Sequence, residues 1–95
     1  MIIGEISTAP LDKGVHLHEY VKVAVSAIKN TGVKYKTSAM STTFEAKDLD
    51  EFLRVVRDAH NAIINLGSQR VYTIVKIDDR RDVDATMETK IKGLK

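Results

Sequence analysis

The sequence predicts an α+β fold: a four-stranded antiparallel sheet with two helices on one face and a short third helix near the C-terminus. Three observations carry that prediction. Apolar and β-branched residues alternate with period two across 2–8 and 71–77, as in strands with one buried face. The stretches 17–30 and 48–66 instead repeat apolar residues at helical spacing. Between them, 34–46 is rich in threonine, serine and aromatic residues, which predicts a hairpin of two strands joined near Ser41.

The first strand, Ile2–Thr8, places Ile2, Gly4, Ile6 and Thr8 on one face, with Ile3, Glu5, Ser7 and Ala9 on the other. Pro10 is expected to end it, because proline removes a ladder donor. A loop around Gly14 leads into the first helix, Leu17–Asn30, whose stripe runs through Tyr20, Val21, Ala24 and Ile28. His16 is a mediocre cap, so that start is poorly marked; Lys29 suits the negative end, and Gly32 is a plausible stop. The hairpin strands are Lys34–Met40 and Thr42–Ala46, the latter with Phe44 beside Thr42 and Ala46, and Thr43 and Glu45 facing the other way.

Asp48 caps the second helix, Asp48–Leu66, with Glu51 at capping-box spacing and Gly67 at its end. Its apolar stripe includes Phe52, Leu53, Val56, Ala59 and Ile63. The strand Val71–Ile77 follows, with Val71, Thr73, Val75 and Ile77 opposite Tyr72, Ile74, Lys76 and Asp78. Asp84 is expected to cap a last helix, Ala85–Gly93, with Met87, Ile91 and Leu94 on one side. A helix that short is marginal alone in water, so it must dock on its own subunit or a neighbour, or fray.

This order, βαββαβ, is the ferredoxin-like arrangement, in which right-handed crossovers put both long helices on one sheet face. The covered face should take Ile2, Ile6, Phe44, Ala46, Val71, Val75 and Ile77. The uncovered face collects Glu5, Ser7, Ser38, Met40, Thr43, Glu45, Tyr72, Ile74 and Lys76.

Composition narrows the function classes. A single domain over 1–95 has a modest core, so oligomerisation is expected. The net charge of +2, with bases and acids interspersed, argues against nucleic acid. No cysteine is present, which excludes disulfides, thiolate metal sites and cysteine nucleophiles. No apolar run approaches the roughly 20 residues of a bilayer span, and no signal-peptide pattern opens the chain, so a cytoplasmic location without membrane contact is expected. Phosphate loops, nucleophile elbows and paired metal-ligand spacings are missing. His16 and His18 do not share a helical face, and His60 reads as a boundary residue beside the apolar stripe. No metal and no resident cofactor is expected.

The uncovered face is the functional question. It is too apolar for a solvated surface and too charged for a simple core. Its polar groups could pair in a self-complementary interface, Glu45 with Lys76, or converge in a small-molecule pocket between sheets.

The residues that bear on the choice are Met1 and Ile2, Glu5 and Ser7, Pro10, Met40, Thr42, Phe44 and Glu45. Ala59 with His60, and the segment Arg70–Asp82 ending in Lys76-Ile77-Asp78-Asp79-Arg80-Arg81-Asp82, complete the set. Taken in order along essentially the whole chain, these resemble the small thiamine-binding-protein family. The resemblance implies a ferredoxin-like fold, assembly into dimers or tetramers through the sheets, and binding of thiamine or its hydroxymethylpyrimidine part without catalysis.

A cationic thiazolium and an aminopyrimidine call for a carboxylate, a flat apolar surface and hydroxyls. The face analysis offers Glu45 as first carboxylate and Glu5 as second. It adds Ser7, Ser38 and Thr43 as hydrogen bonders, Tyr72 or Met40 as a wall, and Lys76 as a neighbouring charge. The alternative is a structural or regulatory interaction module with no small ligand. The charges of Asp78–Asp82 read as a mutually paired corner, with Arg80 or Arg81 also meeting a neighbouring subunit's carboxylate.

Overall fold

Unbroken alternation makes Ile2–Pro10 (β1) the strand about which the sheet is built. The computed structural model describes residues 1–94, so Lys95, the last residue of the expected domain, lies outside the described residues. The other elements are α1 (His18–Asn30), β2 (Tyr35–Thr37), β3 (Thr42–Ala46), α2 (Leu49–Asn65), β4 (Val71–Asp78) and α3 (Met87–Lys92). Strand order is β2-β3-β1-β4, antiparallel throughout, which is the ferredoxin-like arrangement.

Register decides which residues share a face. Opposite Gly4 lie Phe44 and Ile77, and opposite Glu5 lie Thr43 and Lys76. The expected division into faces therefore holds across β1, β3 and β4. Ile2, Ile6, Phe44 and Ala46 are buried under α1 and α2 with Ala24, Ile28, Phe52, Val55, Ala59 and Ile63. The Phe44 and Phe52 rings stack with centroids 4.6 Å apart, joining sheet to helix. Val71 and Val75 pack at the margin of this core, while Ile77 shares their face but is half-exposed.

Several boundaries differ from expectation, each for a physical reason. β1 runs two residues past Thr8, and Pro10 is its buried last residue, paired with Val71. A proline is tolerated there because its missing N–H would face the side with no neighbouring strand. β2 is only three residues long, since Ser38 already turns the chain: its N–H bonds the Ser41 carbonyl at 2.9 Å. α1 starts with no side-chain cap, while Asp48 caps α2 by accepting the Glu51 N–H at 2.8 Å. α3 is capped by Thr86, not Asp84. Thr86 and Thr89 exchange bonds in a capping box, and Asp84 stands two residues too early to reach the first-turn amides.

Candidate functional site

α3 docks on the sheet face opposite α1 and α2, so the face expected to be open is half covered. It crosses a cross-strand row made of Lys34, Glu45, Ile3 and Asp78, and each contact follows from a side chain of that row. Glu45 is buried and its Oε2 accepts the Met87 N–H at 2.8 Å. Lys34 pairs with Glu88, and Lys90 donates to Asp78 at 2.6 Å. Ile3 and Met87 are buried beneath the helix. Beside it, a groove of about 390 Å³ runs between Tyr35, Lys36 and Thr43 on one side and Met87 and Ile91 on the other.

The next row stays accessible: Lys36, Thr43, Glu5 and Lys76, one residue from each strand. Glu5 stands at its centre with a side chain 38% exposed. Its Oε2 accepts the Ser41 hydroxyl at 2.8 Å, and its Oε1 lies 3.6 Å from Lys76 Nζ. Lys76 therefore pairs with Glu5, its direct cross-strand neighbour, and the sequence-based Glu45–Lys76 pairing does not form. Beyond this row Ser7 lies opposite Ile74 and Ala9 opposite Tyr72. Tyr72 and Ile74 are more than half exposed and Met40, at the hairpin tip, is 84% exposed. An apolar strip thus flanks a carboxylate.

The named candidates consequently fall into separate places. Glu5, Ser7, Thr43, Tyr72 and Lys76 share the accessible half of the face, Ser38 lies at the hairpin tip, and Glu45 is engaged under α3. Ser41 was missed by the sequence reading, although counting back by two from Thr43 puts it on the same face.

On the helix side of the sheet is a cleft of about 220 Å³. One face of α1, the β1 residues from Ile6 to Ala9 and the hairpin tip 37–42 enclose it. Near it, His60 Nδ1 lies 2.7 Å from Thr73 Oγ1, which lies 2.7 Å from Thr8 Oγ1, so this histidine is a satisfied boundary residue. The acidic-basic corner pairs with itself: Arg80 with Asp82, at 2.7 and 3.1 Å, and Arg81 with Asp79, at 2.8 and 3.2 Å. The bond from Arg80 lowers the Asp82 carboxyl below its ordinary range. No described helix is long and apolar enough to cross a membrane. Among the described residues, no three acidic, histidine or cysteine side chains are grouped to hold a metal ion.

A family model described as thiamine-binding protein matches residues 4–95. A UPF0045 protein from Methanothermobacter thermautotrophicus is 45% identical over 96 residues, covering 100% of this chain and 97% of its own length. A crystal structure of a hypothetical protein from Methanocaldococcus jannaschii matches with a TM-score of 0.90 at 39% identity, over 98% of this chain and 94% of its own. A Thermotoga maritima protein described as a candidate for thiamine biosynthesis or salvage matches with a TM-score of 0.82 over 99% of this chain and 98% of its own. At 22% identity that likeness is one of fold.

Proposed function

This chain belongs to the thiamine-binding protein family, and from that premise we propose that it binds thiamine or the related hydroxymethylpyrimidine and catalyses no reaction. The family's description names binding and no chemistry. The observation that carries the reading is Glu5: a half-exposed carboxylate, fixed by the Ser41 hydroxyl, beside the apolar strip of Ile74 and Tyr72.

Glu5 is the proposed counter-charge for the thiazolium. Its pair with Lys76 is long, and the lysine is 79% exposed, so a cationic ligand displaces it at little cost. Glu45 is a second carboxylate only when α3 is away, because its Oε2 already holds the Met87 N–H. Ser7, Thr43 and Ser38 are the proposed hydrogen bonders, and Tyr72 the proposed wall. A second copy of the chain, laid face to face on the apolar strip as a homodimer or within a homotetramer, would exclude water from the same site. The cytoplasm is the proposed location.

Titration calorimetry with thiamine should give saturable binding, weakened about tenfold by Glu5→Gln through loss of one charge-assisted contact. Unchanged affinity in that variant would remove Glu5 from the site. No saturable heat with either thiamine or hydroxymethylpyrimidine would sink the ligand reading. The exposed pair Ile74 and Tyr72 would then favour a module that makes only protein contacts.

A further inference from the structure

α3 leaves a groove beside it because of where it is tied. Its bonds go to a single cross-strand row: Glu45 accepts the Met87 N–H, Lys34 pairs with Glu88, and Lys90 with Asp78. Met87 and Ile91, one turn apart, share one side of the helix. Met87 is buried against that row. Ile91 is half-exposed and lines the groove with Lys36 and Thr43, which belong to the next row.

Polar groups around this groove are unevenly satisfied. Glu88 at its rim is held by Lys34, and Glu5, beyond Thr43 in the row, holds Ser41 and Lys76. Lys36 and Thr43 are direct cross-strand partners, which sets their Cβ atoms about 4.5–5.5 Å apart. Among the described residues, neither the Lys36 ammonium nor the Thr43 hydroxyl takes part in an ion pair or side-chain hydrogen bond. Two donors thus meet at one end of a groove that also has Ile3, Met87 and Ile91 in its walls.

We propose that this groove is a second small-molecule site, separate from the one at Glu5, and that it takes a monocarboxylate with an unbranched aliphatic body. The carboxylate accepts from the Lys36 ammonium and the Thr43 hydroxyl, the first bond being charge-assisted. Its chain runs beside α3 along Ile3, Met87 and Ile91, and the flexible thioether of Met87 lets that wall follow an alkyl chain. At about 390 Å³ the groove lies in the roughly 300–1,000 Å³ range of small-ligand sites. Electrostatics select a head with one negative charge. Lys36 is the one unpaired cation among the described residues lining the groove, and Glu5 and Glu88 stand close enough to disfavour a dianion such as a phosphate monoester. Of the residues proposed for thiamine, Thr43 alone lines this groove.

Octanoate is the probe, titrated into the isotope-labelled, unmodified chain and followed by the shifts of its amide resonances. Saturable shifts confined to β2, β3 and α3 are expected, with none from octylamine, which carries the same chain and the opposite charge. Octyl phosphate should bind more weakly than octanoate, and tighter binding would overturn the singly charged head. Lys36→Gln changes an exposed side chain and should weaken octanoate about tenfold while leaving thiamine calorimetry unchanged. The proposal is overturned by an absence of saturable shifts, by shifts centred on Tyr72 and Ile74, or by equal octanoate affinity in Lys36→Gln. Octylamine binding as tightly as octanoate overturns it too. Loss of thiamine binding in Lys36→Gln would make the two sites one, against the separation proposed here. The thiamine reading itself stands or falls apart from these results, on Glu5→Gln.

Discussion

At Gly4 the sheet and α2 approach so closely that a methyl group would overlap both the Lys76 carbonyl oxygen and the Phe52 ring. The alternation of β1 places this glycine on the buried face, but only the packed structure shows that nothing larger fits. Gly4→Ala should lower stability by about 1–3 kcal/mol, the range for overpacked cores, as read from urea unfolding midpoints. Asp12 has a different single-residue role, tying together two loops. It accepts the Ser68 hydroxyl and the Gln69 N–H, each at 2.7 Å, and those bonds hold its carboxyl below the ordinary aspartate range. A carboxyl lowered by folding adds stability while ionised and loses it as pH falls through the folded value. From about pH 5 downward, the unmodified chain should therefore lose more stability than Asp12→Asn. Parallel curves for the two proteins would show that the tether contributes nothing.

α3 is the element whose existence was legible and whose place was not. Its apolar residues at 87 and 91 mark a helix with one oily side, but six residues carry no sign of which surface receives them. The receiving groups are Glu45 of β3, Asp78 of β4 and Lys34 just before β2, and they form one row only once the register is set. The cap was misread for a local reason: aspartate is on average the better cap, and only the reciprocal bonds between Thr86 and Thr89 reverse that preference here. By contrast the faces of β1, β3 and β4 were legible because no bulge interrupts their alternation. The overhang of β1 was not, since strand ends depend on where the partner stops. Thr86→Ala should speed amide exchange across α3 about fivefold, equivalent to the loss of roughly 1 kcal/mol of cap. In Glu45→Ala the amide of Met87 should lose its protection, measured by the same exchange experiment, while the amides of α2 keep theirs.

Across the whole molecule, the accessible apolar strip and the half-covered face predict association. Ile74→Lys places a charge in that strip and should lower the mass found by light scattering, and an unmodified chain that is already monomeric would end the assembly reading. The sheet's layout has a further consequence, for the order in which the protein can form. β1 is the earliest strand in sequence and lies in the interior of the sheet, between β3 and β4. Its pairing with β4 joins Ile3 to Asp78 and Pro10 to Val71, contacts between residues more than sixty positions apart. Contacts of such sequence separation slow folding, because a long loop must close before they yield any stabilisation. On the ribosome, β1 would emerge with neither neighbour made and wait for almost the entire chain before its second edge is closed. Until β3 is made an apolar strand is open on both sides, and until β4 is made it stays open on one; that interval is when this protein would be most prone to pair with the wrong partner.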